Sequence, residues 1–459
     1  MTQARILAAD AVLTMDEANS VVSGGAVLVE DGRIGAVGPL DDLKAAHPHV
    51  AVKALPNTVL MPGLVNAHAH SGFLRGTAEH LPVWDWLTLH INPMHRMLQP
   101  HEAEAASWLC YAESVLGGTT TVVDMWRFMD GSARAAEAIG NRLVAVPYVG
   151  EHPDYDYFDT LDMNEALIEG WHRKAGGRVN VWVGLEHLFY ADEPAQWRAV
   201  EMAKRHRTGF HTHCSEAEIE LAEFQKRYGK RPMFVLDDLG FFETPRAMIA
   251  HAVWLDQAEV ELIAKRPVSV AHNPVSNMKL ASGIAPIAEM LAAGVPVGIG
   301  TDGEKENNNF DMFEEMKVAS LLGKLKHLDA AAMDSWQVLR MATILGARAV
   351  GLDHEIGSID VGKRADIIAV RTDTPRMTPF FPEGPDFNLQ HNLVHAVRGG
   401  DVSMTMVDGR ILVEDGELKT ASMTEILAEI HAVAPGLFAR RAAWLAAHAD
   451  GTKQWTQGS

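Results

Sequence analysis

The central part of the chain alternates helical patterns with short apolar runs. From about Met61 to Leu352, stretches such as "DEPAQWRAVEMAKRHR" separate the runs "TTVVDM", "LVAVPYVG", "VNVWVGLE", "GFHTHC", "AMIAHA", "VSVAHN" and "VPVGIGTD". Nearly continuous hydrophobic strands are typical of a parallel sheet that helices cover on its faces. With the run that ends at His70 there are about eight strands, and this number favours an α/β fold of the (β/α)8 TIM-barrel type.

Both ends of the chain are rich in short strand patterns. Asp31-Gly32 and Asp408-Gly409 are hairpin signals between such patterns. We therefore expect one small composite β-sandwich domain built from residues 1–60 and 355–421. The barrel then spans residues 61–354, and residues 422–459 form a helical segment with a polar tail.

Composition limits the class of partner. The chain has 459 residues, 47% of them hydrophobic, which is enough for a large core and a smaller second domain. A formal charge of −20 argues against nucleic acid and anionic membranes, because both attract basic surfaces. The two cysteines, Cys110 and Cys214, indicate no disulfide framework, and no signal peptide is visible. We expect a cytoplasmic protein with a small-molecule ligand.

The segment "MPGLVNAHAH" places His68 and His70 two residues apart at the end of an apolar run. Residues i and i+2 of a strand face the same side, so both imidazoles can bind one metal ion. Two surface histidines on a loop are the alternative.

Polar side chains recur at the ends of the later strands. Catalytic groups of a (β/α)8 barrel lie at the carboxyl ends of its strands. The candidates there are His187, His213, Glu216, His251, His272 and Asp302. Imidazoles and a carboxylate are suitable ligands for zinc or iron(II), and a catalytic site leaves one position open for water.

These motifs together resemble the amidohydrolase superfamily, in the group of metal-dependent deaminases and chlorohydrolases. The resemblance includes S-adenosylhomocysteine and methylthioadenosine deaminases, guanine and cytosine deaminases, and triazine hydrolases. It rests on "MPGLVNAHAH", "RGTAEHLPVWDWL", "ESVLGGTTTVVDM", "HTHCSE", "IAHAVWL", "AHNPVSNMKLASGIAPIAEMLAAGVPVGIGTDG" and "HEIGSIDVGKRADIIAV". It covers essentially the whole chain and implies a barrel inserted in a small composite β-sandwich.

The resemblance also implies a metal site. One divalent ion per subunit, zinc with iron as the alternative, would be held by His68, His70, His213 and Asp302. Binuclear relatives carry a carboxylated lysine after the fourth strand, and "VWVGLEHLFY" contains no lysine. One metal is therefore expected rather than two.

Roles for the other strand-end residues follow from the same resemblance. Metal-bound hydroxide would attack the substrate, Glu216 would protonate a ring nitrogen and relay protons, and Asp302 would take the proton of the water. His251 would steady the tetrahedral centre. His272 either organises its loop or contacts substrate, and both alternatives stay open.

Further residues are predicted to line the substrate pocket, namely Trp86, His95, His187 and Glu216. Trp84 is interpreted as core or lid. The acidic loop of residues 154–160 could form part of the pocket rim. Acidic residues near the expected pocket favour a neutral or cationic substrate; they are Glu186, Asp154, Asp156, Glu304 and Glu306.

The predicted function is hydrolytic deamination of a small N-heterocycle such as a purine, pterin, pyrimidine or triazine. The same metal chemistry could instead remove chloride or an alkylamine from a triazine, or open a cyclic amide or amidine. A scaffold of the same fold without catalytic activity is a third alternative. The resemblance further suggests a homo-oligomer, a dimer or larger.

Two substitutions argue against a nucleoside substrate. In the resembling nucleoside deaminases, a glutamate holds the ribose hydroxyls and an arginine after the third strand holds the amino-acid tail. The corresponding places here carry His95 and either Pro147 or Tyr148. We therefore expect a smaller heterocycle without a ribose.

Overall fold

The computed structural model describes residues 4–81, 83–152 and 155–448. The side chains of Val83 and Trp84 are not part of this description. The predictions for the Trp84 side chain, for Asp154 and for the polar tail therefore lie outside the described residues.

A closed barrel of parallel strands forms the centre of the molecule. Its strands are Leu64–His70, Thr119–Trp126, Arg142–Pro147, Val179–Val181 with Val183–His187, Gly209–Cys214, Arg246–His251, Val268–His272, and Val297–Ile299 with Asp302–Gly303. The fourth and eighth strands are each interrupted, and their segments divide between two ribbons of parallel strands. The ring closes where Asp302 pairs with Ala69. The predicted (β/α)8 barrel is confirmed.

Helices follow the strands and cover the barrel. They are Val83–Trp86, Asn92–Met97, Pro100–Leu116, Asp130–Ile139, Leu161–Trp171, Glu193–His206, Glu218–Tyr228, Pro232–Asp238, Gln257–Ile263, Pro274–Lys279, Ile287–Ala292, Glu304–Asn307, Met312–His327, Ser335–Ala342 and Ile344–Ala349, with a π-helical turn at Leu87–Ile91. Short 3-10 turns are Ala175–Gly177, Leu188–Tyr190, Phe241–Glu243, Pro375–Met377 and Gly399–Asp401. Outside the barrel lie the helices Leu40–Ala46, Leu389–His395 and Met423–Ala447.

Two further sheets are built from the ends of the chain. The four-stranded sheet has the order Arg33–Pro39, Gly25–Glu30, Arg5–Ala8 and Ala51–Ala54. The seven-stranded sheet has the order Glu417–Leu418, Arg410–Glu414, Val402–Val407, Ile367–Arg371, Thr58–Pro62, Ala11–Leu13 and Val21–Ser23. Because Ile367–Arg371 pairs antiparallel with Thr58–Pro62, the two ends of the chain share one sheet. The exact domain boundaries stay a prediction.

The two hairpin turns identified in the sequence touch each other. Asp31 and Gly32 have φ angles of 48° and 77°, and Asp408 and Gly409 have 49° and 73°. Positive φ at both central residues is the requirement of a type I′ turn, which glycine satisfies without strain. A Cβ at Gly32 would lie 2.7 Å from the Asp408 carbonyl oxygen, so this contact also requires glycine.

A buried ion pair joins the barrel to the seven-stranded sheet. Arg142, at the start of the third strand, donates from Nε to Asp366 Oδ2 at 2.7 Å and from Nη2 to Oδ1 at 2.9 Å. Burial opposes the charge, but the carboxylates of Asp366 and Asp408 outweigh it and raise the pKa of Arg142. Among the described residues, no helix is both long and apolar enough to cross a membrane.

Candidate metal and catalytic centre

His70 and His213 meet at the carboxyl end of the barrel, and their tautomers follow from their backbone partners. His70 Nδ1 lies 2.6 Å from the Met125 carbonyl oxygen, and His213 Nδ1 lies 2.7 Å from that of Glu186. A carbonyl only accepts, so each Nδ1 carries the proton and donates it. The two Nε2 atoms, 3.1 Å apart, therefore face each other as lone pairs.

The tautomer of His68 is determined through a second imidazole. His211 Nδ1 donates to the Met248 carbonyl at 3.0 Å, so His211 Nε2 accepts. His68 Nδ1 lies 2.8 Å from that Nε2 and must donate to it. His68 Nε2 is then a third lone pair, and it lies 3.1 Å from His213 Nε2.

Asp302 completes the cluster with a carboxylate. Its Oδ1 lies 3.6 Å from His68 Nε2 and 3.4 Å from His70 Nε2. The Ser276 hydroxyl donates to Oδ2 at 2.6 Å, and the Gly303 N–H donates to Oδ1 at 2.9 Å. Burial opposes the negative charge, yet the surrounding imidazoles outweigh it and hold the pKa of Asp302 well below its usual value.

This donor set fits a divalent cation. Three imidazole lone pairs and a carboxylate oxygen converge, and no proton lies between the nitrogens. These lone pairs repel one another unless a cation lies among them. Burial holds the pKa values of His70 and His213 well below the usual value, so both rings are neutral, as ligands must be. Three histidines and one carboxylate are typical ligands of zinc and iron(II). The structure thus brings the predicted ligands close together; they are His68, His70, His213 and Asp302.

His251 lies beside this cluster with a carboxylate on each side. Its Nε2 is 3.8 Å from Glu216 Oε2 and 3.8 Å from Asp302 Oδ2. Its Nδ1 donates to Asn277 Oδ1 at 2.9 Å, which orients the ring. Burial acts against the imidazolium, but the two carboxylates outweigh it and raise the pKa of His251.

Glu216 lies at the edge of the cluster and is positioned for proton transfer. The Ser282 hydroxyl donates to its Oε1 at 3.2 Å. Burial raises the pKa of Glu216, which favours the protonated form that a proton donor needs.

A small cavity opens directly onto these groups. Its lining includes His70, His213, Asp302, Glu216, His251, Trp86, Tyr148, Glu186, Lys305 and Glu306. Trp86 lies in this lining, and its contact with substrate stays a prediction.

Two predicted substrate contacts lie outside the lining of this cavity. His187 Nε2 is 3.1 Å from Glu220 Oε2, and its Nδ1 accepts the Phe189 N–H at 3.2 Å. His95 stacks on Tyr148 with ring centroids 4.5 Å apart, and it lines a separate apolar cavity. The structure gives both rings protein contacts, and their contact with substrate stays a prediction.

His272 and residues 155–160 of the acidic loop are not part of the lining of this cavity. Burial lowers the pKa of His272 to about 3, and its ring is not part of the lining. Asp156 pairs with Arg96, and Asp159 pairs with Arg127 at 2.8 Å. Of the acidic residues predicted near the pocket, those in its lining are Glu186 and Glu306.

Three functional residues were missed by the sequence analysis. His211 has the same two-residue spacing to His213 as His68 has to His70, so the spacing was a usable signal. Glu220 and Lys305 had no such signal, because both resemble ordinary charged residues of a helix. The structure buries both, at 3% exposure each.

Comparison with known proteins identifies a matching family and relatives of similar sequence. Residues 59–412 match the amidohydrolase family, and residues 25–49 match an imidazolonepropionase-like composite domain of bacteria. A 5-methylthioadenosine/S-adenosylhomocysteine deaminase of Syntrophomonas wolfei is 36% identical over 422 residues, which cover 91% of this chain and 95% of that protein. A 5′-deoxyadenosine deaminase of Methanosarcina mazei is 37% identical, covering 94% and 97%.

Solved structures of similar fold were also found. A zinc-bound adenosine deaminase from Xanthomonas campestris superimposes with a TM-score of 0.89 at 30% identity, over 95% of this chain and 98% of that one. The atrazine chlorohydrolase of Arthrobacter aurescens superimposes with a TM-score of 0.84 over 94% and 99%. At 23% identity, the second similarity is one of fold.

Proposed function

Because the chain belongs to the amidohydrolase family, we propose that it is a metal-dependent hydrolytic deaminase that releases ammonia from a small N-heterocyclic substrate. Relatives named as deaminases cover more than nine-tenths of the chain. The observation that carries the proposal is the convergence of three imidazole lone pairs and the Asp302 carboxylate beside Glu216. Zinc is the proposed metal, and the zinc-bound relative supports this choice.

The side chains supply the proton transfers of the reaction. A divalent cation held by His68, His70, His213 and Asp302 would lower the pKa of a water toward neutrality and so supply hydroxide at neutral pH. Asp302 would accept the proton that the water loses, while Glu216 would donate a proton to a ring nitrogen next to the reacting carbon. His251 donates a hydrogen bond to the added oxygen. Transfer of the proton from Asp302 to the amino group then releases ammonia, and the proton of the added hydroxyl returns to Glu216, which leaves a ring carbonyl next to a ring N–H.

The pocket supports a substrate smaller than a nucleoside. The family resemblance assigns the place of the ribose-binding glutamate to His95 and that of the arginine to Pro147 or Tyr148, and the rings of His95 and Tyr148 stack on each other. Burial, aided by the nearby charges of Lys305 and Arg127, lowers the pKa of His95 well below its usual value, so this ring is neutral. A neutral imidazole does not replace a carboxylate that accepts two hydroxyl protons.

The test is a screen for ammonia release by the zinc-loaded protein. Purines, pterins, pyrimidines, triazines and cyclic guanidino compounds are the substrates, with adenosine, methylthioadenosine and S-adenosylhomocysteine as nucleosides. We expect a free heterocycle to exceed a kcat/KM of about 10⁴ M⁻¹s⁻¹ and the nucleosides to stay below it. Chloride or alkylamine release from a triazine without ammonia would replace the proposal, and no turnover at full metal content would favour a scaffold.

Assembly and location complete the proposal. A homo-oligomer, a dimer or larger, follows from the family resemblance, and light scattering of the purified protein measures it directly. Cytoplasmic location stays a prediction from composition and cysteine content.

A further inference from the structure

Three buried polar atoms on the wall of the active-site cavity lack hydrogen-bond partners. They are Trp86 Nε1, Glu186 Oε2 and Glu306 Oε2, with no partner anywhere in residues 4–81, 83–152 and 155–448. Their residues are 3%, 7% and 4% exposed. A buried polar atom left unpaired is costly, so an unpaired set around a cavity indicates the polar groups of a ligand.

Lys305 and Glu306 form the most specific part of this wall. Lys305 Nζ lies 2.9 Å from Glu306 Oε1, and it stands 5.9 Å from the centre of the Trp86 ring. Both residues belong to the short helix Glu304–Asn307, which begins just after the predicted ligand Asp302. The pair therefore presents an ammonium donor and a free carboxyl oxygen side by side to the cavity that contains the metal cluster.

We infer that Lys305 and Glu306 bind the lactam edge of the substrate, a ring carbonyl next to a ring N–H, and that the substrate is therefore an amino-oxo heterocycle. This inference rests on the proposed function and specifies its substrate class. The ring carbonyl accepts from Lys305, and the ring N–H donates to Glu306 Oε2. A carboxyl group keeps an acceptor lone pair in either protonation state, so the match does not depend on its ionisation.

The other two unpaired atoms of the cavity wall also match polar groups of an amino-oxo heterocycle. Trp86 Nε1 donates and so matches a second ring acceptor, whereas Glu186 Oε2 matches an amino or ring N–H group. An adenine-type ring has no ring carbonyl. It would offer the Lys305 ammonium no carbonyl oxygen in addition to Glu306 Oε1, and sites built to hydrogen-bond a substrate group reject analogues that lack it.

Matched pairs of free bases test the inference on the zinc-loaded full-length protein. Each pair differs only in the lactam group, the ring carbonyl with its adjacent ring N–H: guanine and 2-aminopurine, isoguanine and adenine, cytosine and 4-aminopyrimidine. We expect the oxo member of the productive pair to have a kcat/KM higher by about 100-fold or more. Calorimetry measures binding of the same six compounds at equilibrium, so a result is obtained even for a ring that is not turned over.

Variants of the two residues connect the selectivity to the structure. Lys305→Met and Glu306→Gln should reduce the preference for the oxo member at least tenfold, in binding and in kcat/KM, at unchanged metal content. Glu304→Gln is the matched control from the same helix, because Glu304 accepts the Leu74 N–H at 2.9 Å and does not line the cavity.

The outcomes separate this inference from the proposed function. Equal binding and turnover of the two members of each pair, or an unchanged preference in both variants, overturns the inference while the deaminase proposal stands. Absence of ammonia release from every compound overturns the deaminase proposal, and the binding preference then decides the inference on its own.

Discussion

His187 Nε2 lies 3.1 Å from Glu220 Oε2, and the Glu220 carboxylate also accepts three successive backbone N–H groups. Those groups belong to Ser215 at 2.7 Å and to Glu216 and Ala217 at 2.9 Å each. Burial opposes ionisation, but the hydrogen bond from His187 and the backbone N–H groups outweigh it and lower the pKa of Glu220. The turn that carries Glu216 is thus held by one buried anion, which makes Glu220 a positioning residue.

Glu220→Gln should misplace Glu216 without removing metal. The amide presents donors to N–H groups that need an acceptor, and a small displacement of a catalytic group is costly. We expect kcat to fall about 10- to 100-fold, with metal content unchanged. Because the charge of Glu220 raises the pKa of Glu216, the limb of the pH–rate profile due to Glu216 should also move to lower pH. Glu223→Gln, which loses only surface pairs with Lys226 and Arg227, is the control.

Glu216→Gln should abolish proton transfer while the metal stays bound. The amide keeps the size of the side chain but cannot carry a proton. We expect turnover of the best substrate to fall by about 10²–10⁴-fold, with unchanged zinc content by mass spectrometry. Near-normal turnover of this variant would remove Glu216 from the mechanism.

His70→Ala and Asp302→Ala should each reduce zinc content and abolish turnover. Binding to the folded state alone stabilises a protein, so zinc raises the Tm of the wild-type protein. That increase should be largely lost in both variants. His101→Ala, at an exposed position, should keep the full increase and full turnover. A normal zinc-induced rise in Tm without His70 would contradict the ligand assignment.

The burial of Glu306 should make stability depend on pH. Burial raises its folded pKa to about 8 from an ordinary value of 4.5. A raised folded pKa contributes stability that is complete below the unfolded pKa and is lost as pH rises toward the folded pKa. Relative to Glu306→Gln, the wild-type Tm should therefore fall between pH 5 and pH 9. Exposed Glu137→Gln should follow the wild type at every pH, and a constant difference for Glu306→Gln would refute the prediction.

Arg142→Met should destabilise the contact between the barrel and the seven-stranded sheet. It leaves the Asp366 carboxylate buried without its cation, and we expect the free energy of unfolding to fall by about 3–5 kcal/mol in urea denaturation. Arg142→Met with Asp366→Leu should recover part of the loss, because Asp366 is gone and Asp408 keeps its pairs with Arg178 and Arg364. Arg266→Met, which breaks an exposed pair with Asp237, should change the free energy little. A double variant as unstable as Arg142→Met would contradict this explanation.

Much of the fold was determined by local sequence patterns. The apolar runs that end at His70, His213 and Asp302 are barrel strands because β-branched residues and a period of two specify buried strands directly. The ends of parallel strands meet at one edge, so the candidate ligands could be found at strand ends, and the family resemblance then implied which four of them bind the metal. The split β domain also followed from local hairpin signals, since Asp31-Gly32 and Asp408-Gly409 are turns whatever surrounds them.

The tertiary structure determined the contacts between residues that lie far apart in the chain. The protonated nitrogen of His68 depends on His211, which lies 143 residues away. His187, expected to face substrate, instead contacts Glu220, because the helix Glu218–Tyr228 folds back against the fourth strand. Lys305 and Glu306 resemble a solvated charged helix turn in sequence, and only the packing of that turn over the barrel mouth buries them. Periodicity specifies which way a side chain leaves its own strand or helix; the partner it meets, and therefore its charge state, is determined only by how the elements pack.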